Sequence, residues 1–346
     1  MRFKFLPVIL VIFLLANFMV SARDPLTLRV ATAENQGSPA VEGLYRFKEF
    51  VERRTSGRIK VQLYIAGTRG QEEELLEGLR RGAVDAVLVS SSKYKVLVPE
   101  MELLSLPLLF ATEEHWQEAL NGRPGQRLGD FAFQRRREMV MGYMTTGSQN
   151  IFTRRDLVSL GGLRGMKISA GSSSLTLEAW RALGLEPVVV ADSELTVALQ
   201  SGWVDAVGSD FFDYNRLKLY EAAKCMVRTC HIIRTYPFIL SGRAWDQIPQ
   251  NLRRVVISCG QEACLWQARH AFTRNKQINE ELSRKYWVRP LNPTPEERAA
   301  WEKQILPLQD RVAAQLGVED ILREIRALAP EPEITKEKGR GKEERE

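Results

Sequence analysis

Residues 26–32 (LTLRVAT) alternate apolar and polar positions and read as a β-strand. A polar turn from Glu34 to Gly37 leads to Ser38, a capping residue, with Pro39 at the first helical position. Val41, Leu44, Phe47 and Val51 then recur at helical spacing, and Ser56-Gly57 stop the helix. Residues 58–65 predict a second strand and 71–81 a second helix. That helix carries Glu72, Glu73 and Glu74 in its first turn and Arg80 and Arg81 in its last, so both ends complement its dipole. Gly82 ends it, and 83–90 predicts a buried strand.

Residues 103–110, 139–144 and 167–170 read as further strands; 113–121, 175–183 and 216–223 read as helices. Residues 231–241 are expected to be extended and to cross back between lobes. Residues 250–283 form a long helical stretch with Leu252, Val255, Val256 and Cys259 on or near one face. Thr294, Pro295 and Glu297 start further helices that reach 329. A repeat links the two parts: residues 79–87 and 199–207 both read L-x-x-G-x-V-D-A-V. Each follows a strand and a helix, which predicts two lobes built on one βαβ unit, each with a parallel sheet. Asp85 and Asp205, mirrored in the repeat, are expected to be structural. Ligands of open α/β sheets sit beyond the carboxyl ends of the strands, so two facing sheets make a cleft that closes on its guest.

Composition narrows the class. The chain has 346 residues, 44% hydrophobic and 27% charged, with a net charge of +6. Its basic residues are interspersed with acids and form no aromatic-interleaved stripe, which argues against nucleic acid as a partner. The start, Met1-Arg2-Phe3-Lys4 followed by an apolar run to Val20 and then Ser21-Ala22, has the form of a secretory signal peptide over 1–22. The charged segment 331–346 is expected to be a disordered tail. Cys225, Cys230, Cys259 and Cys264 permit disulfides in an exported chain, and Cys225 with Cys230 is the easier pair if the chain turns between them; buried free thiols fit equally. Three histidines lack metal-ligand spacing, and no G-x-S-x-G elbow is present. Neither catalysis, a metal nor a cofactor is expected.

Several stretches resemble the solute-binding subunits of TRAP transporters, the DctP-like family: TSGRIKV (55–61), ELLEGLRRG (74–82), LPLLF (106–110), LRGMKI (163–168), the segment 194–205 and AWDQIP (244–249). The resemblance runs over about 26–329. It implies a two-lobed α/β periplasmic binding protein with a ligand cleft between lobes and a long C-terminal helical region. The implied partners are a small-molecule solute and membrane permease subunits. A sensing subunit that reports to a signalling receptor would have the same sequence character. The lobes are expected over 23–147, with part of 235–275, and over 148–234, with part of 276–330.

This chain departs from the family at the expected ligand clamp. The family carries Arg after the Lys-Ile of the second-lobe strand, where this chain has Ser169. A second family Arg falls at Gln149, two residues after Gly147, and the usual Asn is lost near Ser209 and Asp210. Arg grips a carboxylate through two charge-assisted hydrogen bonds; Ser and Gln offer weaker neutral ones. The ligand is therefore expected to be something other than a simple organic acid, or Arg69, Arg154 or Arg234 replaces the clamp. Further cleft candidates are Glu34 after the first strand, and Ser90 and Ser91 after the strand at Asp85. Ser172 lies in a hydroxyl-rich helix start, where capping is an equal role. Phe211 follows the second repeat, where stacking and core packing both fit, and Tyr236 lies near the crossover.

Overall fold

The computed structural model describes residues 24–330; the leader and the charged tail lie outside the described residues. In chain order the elements are β1 (Leu26–Thr32), α1 (Pro39–Arg54), β2 (Ile59–Tyr64), α2 (Glu72–Arg81), β3 (Ala86–Leu88), α3 (Ser91–Tyr94), α4 (Glu113–Asn121), α5 (Arg123–Arg136), β4 (Met139–Thr153), β5 (Lys167–Ala170), α6 (Ser174–Ala182), β6 (Glu186–Val189), α7 (Leu195–Ser201), β7 (Ala206–Ser209), α8 (Phe211–Arg216), β8 (Cys225–Leu240), α9 (Gly242–Gln247), α10 (Gln250–Tyr286), β9 (Arg289–Leu291), α11 (Pro295–Leu316) and α12 (Glu319–Ala327).

The nine strands among the described residues join one sheet in the order β2-β1-β3-β8-β4-β7-β5-β6, with β9 beside β8. Two parallel triplets, β2-β1-β3 and β6-β5-β7, flank the pair of long strands. Each triplet abuts one long strand antiparallel: β3 meets β8, and β7 meets β4. The long strands pair with each other and carry the chain from one lobe to the other. This is the expected two-lobed architecture, with α10 running 37 residues alongside, about 55 Å at 1.5 Å per residue.

The sequence repeat is a structural repeat. Gly82 and Gly202 end α2 and α7 with φ of 77° and 81°, the left-handed region that glycine enters at least cost. The Asp85 carboxylate accepts the Arg29 backbone N–H at 2.8 Å, and the Asp205 carboxylate accepts that of Lys167 at 3.0 Å. The structural reading of both aspartates therefore holds: each ties the end of its strand to the first strand of its own triplet.

Apolar periodicity places the core. Val41, Leu44, Phe47 and Val51 of α1 are fully buried, and Phe47 meets Phe238 of β8 edge to face at 4.9 Å between ring centres. The polar stretch of β4, Thr145 to Asn150, bulges twice against β8. Gln267 of α10 covers one irregularity. Its amide accepts from Thr145 N at 2.9 Å and donates to Thr145 O at 2.7 Å, while Asn275 donates to Thr146 O at 2.7 Å.

Two expectations are corrected, one element is added and one open alternative is decided. Residues 103–110 form no strand; a 3-10 turn over Pro99–Ser105 leads into an irregular run. Pro107 lacks an N–H for a ladder, and the buried Leu103, Leu104, Leu106, Leu109 and Phe110 fill the core. Periodicity cannot type such a short apolar run. No α-helix covers 216–223: α8 begins at Phe211, where Asp210 caps it by accepting from Asp213 N at 2.9 Å, and ends at Arg216, and only a 3-10 turn, Leu219–Glu221, follows. Helix α5 was not anticipated. Finally, Cys225 and Cys230 share the extended strand β8 with no turn between them, and all four cysteines are free thiols.

Candidate functional site

Between the lobes lies a cleft of about 310 Å³. Ser90 and Ser91, where β3 gives way to α3, form one wall with Ser92 and Ser105. Ser169 of β5, Ser209 of β7, Thr176 and Trp180 of α6 form the opposite wall, and Gln149 and Arg234 project from the crossing strands. Side chains on a strand alternate faces, so Gln149 reaches the cleft while Ser148 and Asn150 line a second cavity of about 470 Å³ behind the strands. An outer groove of about 860 Å³, lined by Ser172 and Ser173, shares Ser92, Ser105, Gly171, Thr176 and Val190 with the cleft and forms its mouth.

The structure thus brings Ser90, Ser91, Gln149, Ser169 and Ser209 together and sets Ser172 at the entrance. It does not bring in Phe211 and Tyr236. Phe211 packs edge to face on Phe152 at 6.1 Å, and Tyr236 is 1% exposed in the first-lobe core. Glu34 accepts from Ser38 Oγ at 2.9 Å and is not among the cleft-lining residues. Asp210 is 1% exposed; besides capping α8 it accepts from Thr146 Oγ1 at 2.7 Å. Burial, together with Asp213, raises its carboxyl above the usual range.

Of the three arginines considered as a replacement clamp, Arg234 alone lines the cleft. Arg69 lies over the Tyr64 ring at 4.2 Å, and Arg154 borders Gly202. Arg234 donates from Nη1 to Asp213 Oδ2 at 3.2 Å and lies 3.6 Å from Asp210 Oδ2. Among the described residues its Nε and Nη2 take no hydrogen bond. Sequence reasoning missed Asp213 and Arg216, which also line the cleft; Arg216 donates to Asp213 Oδ1 at 2.8 Å. Their i, i+3 spacing just past β7 was the available signal. Glu72, read only as a dipole residue, does not line the cleft but backs Ser90, which does. Glu72 accepts from Ser90 N and, at 2.9 Å, from Ser90 Oγ. Burial raises its carboxyl, the Ser90 bonds and Arg234 oppose that, and no ion pair to Glu72 occurs among the described residues.

Residues 30–316 match the family described as bacterial extracellular solute-binding protein, family 7, or DctP. The chain belongs to that family. A DctP-family relative, the C4-dicarboxylate-binding periplasmic protein of Rhodobacter capsulatus, is 25% identical over 308 residues, 89% of this chain and 92% of the relative. A TRAP periplasmic solute-binding protein of Ochrobactrum anthropi, whose own C-terminus is bound in its ligand-binding pocket, matches with a TM-score of 0.82 at 25% identity, covering 88% of this chain and 94% of that one. A second solved TRAP protein, from Sulfitobacter sp. with bound α-D-taluronate, matches the fold with a TM-score of 0.77 at 24% identity over 87% of this chain and 98% of that one. No helix among the described residues is long and apolar enough to cross a membrane.

Proposed function

We propose that this chain is the extracytoplasmic solute-binding subunit of a TRAP-type secondary transporter. It captures a small solute by closure of the cleft and delivers it to membrane permease subunits, without catalysing a reaction on it. The leader over 1–22 exports it to the periplasm, in keeping with the periplasmic names of its relatives. The observation that carries this reading is the cleft itself, whose walls come from both lobes while Gln149 and Arg234 come from the strands that join them. Only a closed form lets all of these touch one guest, so the solute favours closure. The lobes divide at 147/148 and 234/235, since Gly147 and Arg234 face each other across the strand pair.

Ser90, Ser91, Gln149, Ser169 and Ser209 are the proposed hydrogen-bonding contacts, Ser172 guards the entrance, and Asp210 holds Arg234 in place. Arg234 replaces the family clamp lost at Ser169 and Gln149: its free Nε and Nη2 edge offers the paired donors that a carboxylate needs. The test is a thermal-shift screen of the mature chain against organic acids, amino acids, sugars and polyols. A binder at roughly 100 times its Kd adds about 2.7 kcal/mol of stability, and X-ray scattering of the same sample contracts. Arg234→Ala weakens the hit at least tenfold. A screen with no shift in any class, or a hit with unchanged scattering, would sink the reading.

A further inference from the structure

The charges around the cleft do not balance in favour of an anion. Arg234 and Arg216 face it, but Asp213 already takes a hydrogen bond from each, and Asp210 lies 3.6 Å from Arg234. Glu72, desolvated and held by Ser90, stands behind the serine wall with no ion pair of its own, and Arg234, the positive charge near it, also serves Asp210 and Asp213. Glu34 adds a further negative charge near Arg234 and Glu72, and the Tyr236 hydroxyl, buried beside the same groups, has no hydrogen-bond partner among the described residues. A dicarboxylate placed here meets the free edge of Arg234 and an Arg216 already held by Asp213, against a surplus of carboxyls, so its second charge finds no unshared counter-ion.

Resting on the solute-binding reading above, we propose that the solute is a zwitterion. Its carboxylate lies along the free Nε and Nη2 edge of Arg234, and its ammonium lies at Ser90, whose Oγ lines the cleft and is held by Glu72 behind it, so that Glu72 acts as its counter-charge through Ser90. Ser90 holds Glu72 through two hydrogen bonds, and Ser169, in place of the family Arg, adds no positive charge to the opposite wall, where Arg216 is already held by Asp213. An ammonium at Ser90 then lies in the field of Glu72, with no cation at Ser169 to compete with it.

Matched pairs that differ in one group test the proposal on the mature chain: alanine against lactate, serine against glycerate, glutamate against 2-hydroxyglutarate, with alaninamide as the amine lacking a carboxylate. Thermal shifts identify the series that binds, and calorimetry gives its Kd. The expected result is that an amino acid binds at least tenfold more tightly than its hydroxy-acid partner and than the amide. Glu72→Gln should erase the preference over the hydroxy acid while leaving the Arg234 dependence in place. Ser90→Ala, which keeps the Glu72 charge but loosens it, should reduce the preference in part and serves if Glu72→Gln fails to fold, as judged by circular dichroism. A hydroxy acid, sugar acid or dicarboxylate that binds as well as or better than the zwitterion would overturn the proposal and leave the solute-binding reading standing. So would an unchanged preference in a folded Glu72→Gln. Silence across the whole screen would overturn both.

Discussion

Asp85 and Asp205 occupy the same place in two copies of one motif, yet their surroundings differ. Asp85 is 3% exposed and accepts the Arg29 backbone N–H and two guanidinium bonds at 2.8 and 2.9 Å. Asp205 is half-buried, and its one side-chain bond is to the Lys167 backbone N–H. A buried charge-assisted network lost from one side leaves unpaired groups, whereas a half-buried single bond is replaced by water. Asp85→Ala should therefore cost about 2–3 kcal/mol and Asp205→Ala about 1 kcal/mol, read from urea unfolding; equal costs would contradict the assignment. Glu113, at the start of α4, lines the cavity behind the strands with Glu114, Ser148 and Cys230. Burial, and then Glu114, raise its pKa to about 7. Its folded pKa exceeds its unfolded value, so the folded state holds the proton longer, and this group's contribution to stability falls as pH rises from about 4.5 to 7. Glu113→Gln should flatten that slope in a series of thermal melts; an unchanged slope would show that Glu113 titrates as an ordinary surface carboxyl.

At the scale of elements, the crossing strand β4 depends on α10. Where Thr145 to Gly147 leave the ladder, Gln267 accepts from one backbone group and donates to another, and Gln267 itself is fully buried. Gln267→Leu keeps the volume but strands a buried N–H and a buried C=O, for an expected loss of about 2–4 kcal/mol in the urea midpoint. Gly147 has φ of +112°, and a Cβ there would fall 1.7 Å from Asn275 Nδ2. Gly147→Ala should therefore displace Asn275 as well as strain the backbone. These elements also show what the chain reveals by itself. The α1 stripe, the α2 ends and the paired L-x-x-G-x-V-D-A-V motifs follow local rules and were legible. So were the cleft serines, because strand ends in a parallel sheet point one way. The run at 103–110 and the buried states of Phe211 and Tyr236 were not legible, since an apolar residue beside a strand end packs inward or outward according to partners distant in sequence. Glu72 was hidden because its helix-dipole role already accounted for it.

At the scale of the molecule, one sheet and one 37-residue helix bind both lobes together. Neither lobe has a closed set of strands, because β4 and β8 serve both. Unfolding should accordingly be a single cooperative transition. Trp116 reports on the first lobe and Trp180 on the second, and variants retaining one or the other as the sole tryptophan should unfold at the same urea concentration. Separated midpoints would mean that the lobes are independent folding units. A fragment covering 148–234 should fail to fold alone, since it cuts both long strands.

The four thiols belong to this whole-molecule picture. Cys225, Cys259 and Cys264 are buried, and Cys230 is half-buried. A chain with unpaired sulfurs is protected from oxidation by packing rather than by bridges. Its vulnerable moment is the interval between emergence and collapse, when a wrong crosslink would lock in a dead end. Refolding yield should then depend on added reductant, while the finished protein ignores it.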